Sequence, residues 1–266
     1  MVSIAITGAA GRMGKTLIQA IAASDDLKLG AALESPHSEF LGADAGELAG
    51  VGHLGVAVVA DAAQVVDQFD VAVDFTVPVA TLALAQVCRS AGKGLVVGTT
   101  GFTDDQLNTL KQAQQDLALF MAPNMSVGVN LTFKLIEMAA RALGETVDVE
   151  VIEAHHRHKI DAPSGTAVRM GEVLADALDR DLERDAIYGR EGITGERDRK
   201  TIGFSTIRGG DIVGEHTVLF AGEGERLEIT HRAQSRMNFA QGALKAARFI
   251  HKQSPGFYDM DAMLAF

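Results

Sequence analysis

Short apolar runs rich in β-branched residues alternate with amphipathic stretches through the first half of the chain. The runs are Val2–Thr7, Leu27–Leu33, Val56–Val59, Val71–Phe75, Gly94–Gly98 and Leu117–Met121, which predict six buried strands. Between them, Lys15–Ser24, Ala62–Phe69, Val79–Ala91 and Asp104–Gln115 place apolar residues at helical spacing. Strand and helix in alternation predict a parallel sheet covered on both faces. From Ser126 the pattern changes. Ser126–Leu143 predicts a long apolar-rich helix, and Val147–Ala154, Thr201–Ile207, Glu215–Ala221 and Leu227–Thr230 predict strands of a mixed or antiparallel sheet. A helix follows Pro163, with Ser164 as N-cap and Ala167, Met170, Leu174 and Ala177 on one face. Asp179–Lys200 is charged and glycine-punctuated, which predicts a long exposed loop. Ala233–Lys252 predicts a helix that returns to cover the first sheet, with Asp259–Phe266 as a closing segment. The expected organisation is thus a doubly wound domain over 1–126, an α+β domain with a mixed sheet over 127–235, and a C-terminal segment over 236–266 that rejoins the first.

Composition narrows the function classes. Of the 266 residues, 47% are hydrophobic, enough for a sizeable core in each domain. With 28 glycines and 5 prolines, tight βα turns are expected rather than linkers. A net charge of −11 argues against nucleic acid and anionic membranes as partners. Cys88 is the single cysteine, so no internal disulfide forms, and a reducing cytoplasm is expected. The chain runs from Met1 straight into Val2–Thr7 without a basic segment, so no secretory signal is expected. No apolar run reaches the length of about 18 residues that a membrane span needs.

The densest chemistry lies in Glu153-Ala154-His155-His156-Arg157-His158-Lys159-Ile160-Asp161-Ala162-Pro163-Ser164-Gly165-Thr166. Ser164, Gly165 and Thr166 at a helix start offer a hydroxyl, backbone N–H groups and the positive dipole end, a cradle for a carboxylate or phosphate. The cations just upstream would face the same spot, so the stretch should grip an anionic substrate and supply protons to it. The alternatives are a metal site, for which no cysteine or spaced carboxylate completes a ligand set, and a solvated basic loop.

A second motif opens the chain. Gly8-Ala9-Ala10-Gly11-Arg12-Met13-Gly14 follows a strand and precedes a helix, the context of a Rossmann-type dinucleotide fingerprint. The glycines serve a tight turn, backbone approach to a pyrophosphate and close helix packing. The spacing is G-x-x-G-x-x-G rather than the commoner G-x-G-x-x-G. Glu34, 20 residues past Gly14, ends the next strand where an acid would accept from the adenosine ribose hydroxyls, or where it would simply be a surface carboxylate. Gly98, Thr99 and Thr100 lie at the carboxyl end of a parallel strand, either lining the ligand crevice near the nicotinamide or forming a plain βα turn. Ala122-Pro123-Asn124-Met125 is another loop on that edge. Cys88, mid-helix among apolar residues, is expected in the core rather than as a nucleophile.

Taken together, these stretches resemble the dihydrodipicolinate reductase (4-hydroxy-tetrahydrodipicolinate reductase) family over essentially the whole chain. Gly98-Thr99-Thr100-Gly101-Phe102, Gly189-Arg190-Glu191-Gly192 with Thr194-Gly195-Glu196-Arg197, and Gly210-Asp211-Ile212-Val213-Gly214-Glu215-His216 add to the match. The resemblance implies NAD(P)H-dependent reduction of a small cyclic dicarboxylate on the diaminopimelate route to lysine, in a homotetramer assembled through the substrate domain, with hinge closure between domains. It implies His155 as proton donor or acceptor and Lys159 as proton donor. His156, Lys159, Ser164, Gly165 and Thr166 would hold the substrate carboxylates, with Thr100 near them. Gly8, Ala9, Ala10, Gly11, Arg12, Met13, Glu34, Gly98, Thr99, Thr100, Ala122, Pro123, Asn124 and Met125 would contact NADH or NADPH, and no metal is implied.

Two rival functions stay open on sequence alone. A non-catalytic dinucleotide sensor would need no concentrated proton donors. A different NAD(P)-dependent dehydrogenase, of aldehydes or another small carboxylate, would want another device at its site, such as a reactive cysteine, and Cys88 does not qualify. Family members that favour NADPH often carry an arginine directly after the ribose-binding acid. Here Ser35-Pro36-His37 follows Glu34, so dual use with NADH at least equal to NADPH is expected.

Overall fold

A computed structural model describes residues 1–266. The chain divides into two compact units, Met1–Val127 with Arg236–Phe266, and Gly128–Ser235.

The first unit is a seven-stranded sheet, parallel throughout, with helices on both faces. In chain order it comprises β1 (Val2–Thr7), α1 (Arg12–Ala22), β2 (Leu27–Leu33), α2 (Ala45–Ala49), β3 (Val58–Val59), a 3-10 helix (Ala62–Gln68), β4 (Val71–Asp74), α3 (Pro78–Ala91), β5 (Gly94–Val97), α4 (Asp104–Gln112) and β6 (Ala118–Met121). The helix α5 (Val127–Leu143) leads out of it. Parallel strands buried on both faces explain why the runs read as continuously apolar rather than alternating. The spatial order β3-β2-β1-β4-β5-β6 reverses between β1 and β4. That is a topological switch point, and loops leaving the carboxyl ends of β1, β4 and β5 converge beside it.

The second unit holds β7 (Asp148–His155), α6 (Gly165–Leu178), α7 (Leu182–Asp185), β8 (Ala186–Ile187), β9 (Ile202–Arg208), β10 (Gly214–Ala221) and β11 (Arg226–Ala233). Its sheet has the order β11-β10-β7-β9-β8, with β10 antiparallel to both neighbours and β7, β9 and β8 mutually parallel. Burial alternates along β7 and β10. One face puts Val149, Val151, Val218 and Phe220 against Ile136 and Ala140 of α5 and Met170 and Leu174 of α6. Fully burying each such side chain stabilises by about 1.5–3 kcal/mol.

The chain then returns to the first unit as α8 (Met237–Ile250), β12 (Gly256–Tyr258) and α9 (Met260–Leu264). Ala240, Ala243, Leu244, Ala247 and Ile250 of α8 join the core on the α1 side of the sheet. Arg248 pins the far end of α8 through bonds to both carboxylate oxygens of Asp26, each 2.7 Å, and to Ser24 Oγ at 2.8 Å.

Several elements differ from the hydrophobic pattern. Helix α1 begins at Arg12, not Lys15, because Gly11 already has extended N-cap geometry and the turn needs no more residues. Asp44 organises α2, a helix no apolar run signals, its carboxylate accepting from the N–H groups of Gly46, Glu47, Leu54, Gly55 and Val56. The charged segment 179–200 contains α7 and β8 rather than loop alone. Helix α8 starts at Met237, not Ala233, since Ala233 pairs with Gly214 as the end of β11. A seventh strand, β12, lies parallel to β6 and had no apolar run to signal it.

Candidate active site

In the second unit the site is built on the end of β7. Glu153 follows Val149 and Val151 on the buried face of the strand and is 1% exposed. A carboxylate there must be fully partnered. It is: Arg208 donates to both oxygens at 2.7 and 2.8 Å, the Ser164 N–H donates at 3.0 Å, and His155 Nδ1 lies 2.6 Å away. Burial pushes the Glu153 carboxyl up, but the hydrogen bonds from Arg208, His155 and Ser164 outweigh it and hold the group below its ordinary range. Glu153 therefore accepts from Nδ1–H of His155 and leaves Nε2 as the ring's lone-pair nitrogen. Burial is the main cause that lowers the His155 pKa, opposed by Glu153 and reinforced by the charges of Lys159 and Arg208. His155 is neutral at physiological pH and poised to accept a proton.

The loop after β7 is held by backbone bonds to the loop after β9. His156 N–H donates to Ile212 O at 2.7 Å, Arg157 N–H to Gly210 O, and Gly209 N–H to His155 O. Arg208 also donates to Asp161 O at 2.6 Å, so one guanidinium clamps both ends of the loop. On it, Lys159 Nζ pairs with Asp161 at 2.8 Å and remains partly exposed. The His156 ring buries an Nδ1 without a partner, while Arg157 and His158 face solvent.

Ser164 caps α6, its Oγ accepting from Ala167 N–H at 3.2 Å. The same oxygen lies 2.9 Å from Nε2 of His216, and Ser164 is 2% exposed. Its side chain and N–H are thus spent inside the protein. Gly165 differs: a Cβ there would meet nothing within 4 Å, so the first turn is open. That turn carries no acidic residue of its own, the Glu153 carboxylate reaching only the Ser164 N–H at the N-cap. His216, edge-on to His155 at 5.1 Å, is pushed down to about 3 by burial first and the neighbouring His155 second.

The glycine loop of the first unit has the expected form. Gly8 has φ +61°, and a Cβ on Gly14 would fall 2.1 Å from Gly8 O and 2.7 Å from Ala9 Cα, so α1 packs against the turn only with glycine there. Ala9 is buried, Ala10 and Met13 partly so, and Gly11 and Arg12 are exposed. Glu34 sits at the mouth of this loop, accepting from Ala10 N–H at 3.0 Å and Ser35 N–H at 3.1 Å. It lines a cavity of about 480 Å³ with apolar walls that include Leu33, Pro36 and Ala80. A glycine turn, a helix N-terminus, a ribose-level acid and an apolar slot fit the adenosine and pyrophosphate halves of a dinucleotide. Thr99 is buried, its hydroxyl turned to Asp74; Gly98 is partly buried and Thr100 exposed. Ala122 and Met125 are also buried, so Thr99, Ala122 and Met125 offer a ligand only their backbone, whereas Pro123 and Asn124 are at least partly accessible. Cys88 is buried, its thiol pushed up to about 12 by burial and, secondarily, by Asp74. No group of three or more His, Cys, Asp or Glu side chains is placed to hold a metal.

Three residues of the site escaped sequence reasoning as site residues. Glu153 had a signal, an acid in phase with Val149 and Val151 on a core-facing strand. Arg208 had none, being 55 residues from its partner. His216 was visible only as part of the matching stretch at 210–216.

The comparisons agree with this architecture. Residues 2–125 match the family model described as dihydrodipicolinate reductase, N-terminus, and residues 128–264 the one described as dihydrodipicolinate reductase, C-terminus. The 4-hydroxy-tetrahydrodipicolinate reductase of Hahella chejuensis is 60% identical over 264 residues, 99% of each chain. That of Alkalilimnicola ehrlichii is 59% identical over 261 residues, 98% of each. A dipicolinate-bound dihydrodipicolinate reductase from Paenisporosarcina sp. TG-14 superposes with a TM-score of 0.77 at 25% identity, covering 97% of both chains. An amine dehydrogenase from Mycobacterium smegmatis, at 14% identity over 98% of this chain and 95% of its own and TM-score 0.59, shares the fold. Sheet, glycine loop and proton-bearing loop place the chain among the oxidoreductases that draw electrons from a pyridine nucleotide. Within that class the chain belongs to the dihydrodipicolinate reductase family.

Proposed function

We propose that the chain reduces 4-hydroxy-tetrahydrodipicolinate, by way of dihydrodipicolinate, to tetrahydrodipicolinate on the diaminopimelate route to lysine. The observation that carries this is a family match spanning both units, 2–125 and 128–264, with the His155–Lys159 loop intact. Bound NAD(P)H supplies the hydride. The backbone of Gly8–Met13 and the carboxylate of Glu34 hold the adenosine and pyrophosphate end, and Gly98–Thr100 with Ala122–Met125 hold the nicotinamide end.

In the second unit the first turn of α6 at Gly165 and Thr166 takes one substrate carboxylate, aided by His156 and Lys159. Ser164 serves this cradle indirectly, by capping α6 and joining it to His216. As the conjugated ring accepts hydride, negative charge moves toward its nitrogen. The Lys159 ammonium stabilises that charge and delivers the proton. His155, with Glu153 holding Nδ1–H, offers Nε2 to take the ring C–H proton as the C–OH bond of the hydroxylated substrate breaks, and returns that proton to the departing hydroxide as water.

The same reading carries NADH use at least equal to NADPH, a cytoplasmic location and a homotetramer formed through the substrate domain. Supporting the last, Ile207 of β9, beside Ala154 on the sheet face away from α5 and α6, is 51% exposed. The test is oxidation of reduced nicotinamide with enzymatically generated dihydrodipicolinate. Stoichiometric oxidation is expected; no turnover with that substrate would overturn the proposal.

A further inference from the structure

Asp74 ends β4 at the switch point and is 1% exposed, yet no cation faces it within hydrogen-bond reach. Its partners are four threonine hydroxyls. Thr7 Oγ1 at 2.5 Å and Thr76 Oγ1 at 2.6 Å reach one carboxylate oxygen; Thr99 Oγ1 at 2.9 Å and Thr81 Oγ1 reach the other. The four come from four elements. Thr7 immediately precedes the glycine turn, Thr76 lies in the loop after β4, Thr81 in the first turn of α3, and Thr99 in the loop after β5. Thr99 Oγ1 also accepts the Thr76 N–H at 2.9 Å. Its one proton is therefore committed to Asp74, and two loops are tied through a single hydroxyl. Thr76 in turn supports the glycine turn, its Cγ2 lying 3.2 Å from where a Cβ on Gly8 would stand.

Only a carboxylate accepts four hydroxyl protons in this arrangement. A carboxamide has one acceptor oxygen and places an NH2 against hydroxyls that already donate. We propose that Asp74 is a positioning residue that sets the spacing between the Gly8 turn and the Gly98–Thr100 loop, and thereby the seat of the nicotinamide half of the nucleotide. This rests on the cofactor assignment above. Asp74 does not itself line the apolar cavity beside Glu34, although its partners Thr7 and Thr76 border it; its tie to the Gly98–Thr100 loop through Thr99 lies outside that cavity.

The test is a fragment comparison on Asp74→Asn in the full chain, with NADH binding read by its fluorescence and AMP binding by calorimetry. NADH should bind roughly 10-fold more weakly, the scale of one lost charge-assisted hydrogen bond, while AMP, which meets the Gly8 turn but not the Gly98–Thr100 loop, should lose no more than about threefold. Equal weakening of both ligands, or of neither, would overturn the proposal, since a merely structural acid loosens the sheet without regard to the ligand's length. If Asp74→Asn does not fold, Thr99→Val and Thr99→Ser decide, since the Thr99 hydroxyl joins the two loops and lies outside the adenosine cavity. Valine should weaken NADH alone by roughly threefold or more, the scale of one neutral hydrogen bond, and serine should restore it. Valine and serine behaving alike would sink the idea. Failure of wild type to bind either ligand would instead overturn the cofactor assignment.

Discussion

Nδ1 of His155 lies 2.6 Å from a carboxylate oxygen of Glu153, whose two oxygens also take both ends of the Arg208 guanidinium. The pair fixes which imidazole nitrogen carries the proton, and Arg208 fixes the pair. In Glu153→Gln the amide can donate to Nδ1 and stabilise the wrong tautomer, as happens when an orienting acid becomes an amide elsewhere. The change also removes the charge that raises the His155 pKa, leaving burial, Lys159 and Arg208 to lower it further. The His155 titration should move to lower pH, and kcat should fall by roughly 100-fold. NMR titration of His155 and the pH profile of kcat check this; an unmoved or raised His155 pKa would refute it.

His216 gives a stability prediction with a defined direction. Its folded pKa of about 3 lies below the unfolded value of 6.5. Between those values the unfolded chain binds a proton that the folded one refuses, so stability is full above pH 6.5 and declines as pH falls toward 3. At about 1.4 kcal/mol per pH unit, this group alone removes at most about 2 kcal/mol between pH 7 and pH 5. Urea unfolding at both pH values should show His216→Asn less stable at pH 7 but losing less on acidification. Equal losses in wild type and variant would show that His216 is not the group responsible.

Much of this molecule is legible in sequence because its signals are local. Six of the seven strands of the first sheet announce themselves as apolar runs between helices, and the glycine turn lies within seven residues. The proton-bearing loop is contiguous too. What sequence hides is what depends on distant partners. Glu153 and Arg208 meet only because β7 and β9 pair with His155 opposite Arg208. Ser164 looked like a substrate contact because its hydroxyl is at a helix start, but His216, 52 residues away, and its own capping role take that hydroxyl inward. Strand β12 escaped because Gly256-Phe257-Tyr258 is too short to show a period, and β6 rather than its own sequence makes it a strand.

Lys159 lies on the loop clamped by Arg208, paired at 2.8 Å with an Asp161 that is itself 53% exposed. An ion pair so open contributes at most about 1 kcal/mol. Asp161→Asn should therefore leave kcat within about threefold, since the ammonium remains available. Lys159→Ala should lower kcat by roughly 100-fold or more, the scale of one positioned acid, and leave the NADH dissociation constant unchanged. Steady-state kinetics with fluorescence binding separates the two effects. Near-normal turnover in Lys159→Ala would remove Lys159 from the proposed chemistry.

Cofactor preference follows from what surrounds Glu34. Its carboxylate is held toward the glycine turn by the N–H groups of Ala10 and Ser35, where it can accept from ribose hydroxyls and repel a 2′-phosphate. The cavity beside it is lined by a second acid, Asp61, and by no lysine, arginine or histidine. Ser35, next in sequence, offers a hydroxyl that already accepts from His37 N–H at 3.4 Å. Arg12 is the permanent cation in the loop itself, and its place at the first turn of α1 suits the pyrophosphate. NADH should therefore serve at least as well as NADPH. Ser35→Arg should add one charge-assisted hydrogen bond to a 2′-phosphate, about 1.5–3 kcal/mol, and shift the NADPH-to-NADH ratio of kcat/KM by roughly 10- to 150-fold. Both ratios are to be measured at fixed ionic strength, because screening weakens an exposed phosphate contact. A tenfold or larger wild-type preference for NADPH would mean that a cation from elsewhere reaches this pocket, and that Glu34 turns away from it when the nucleotide binds.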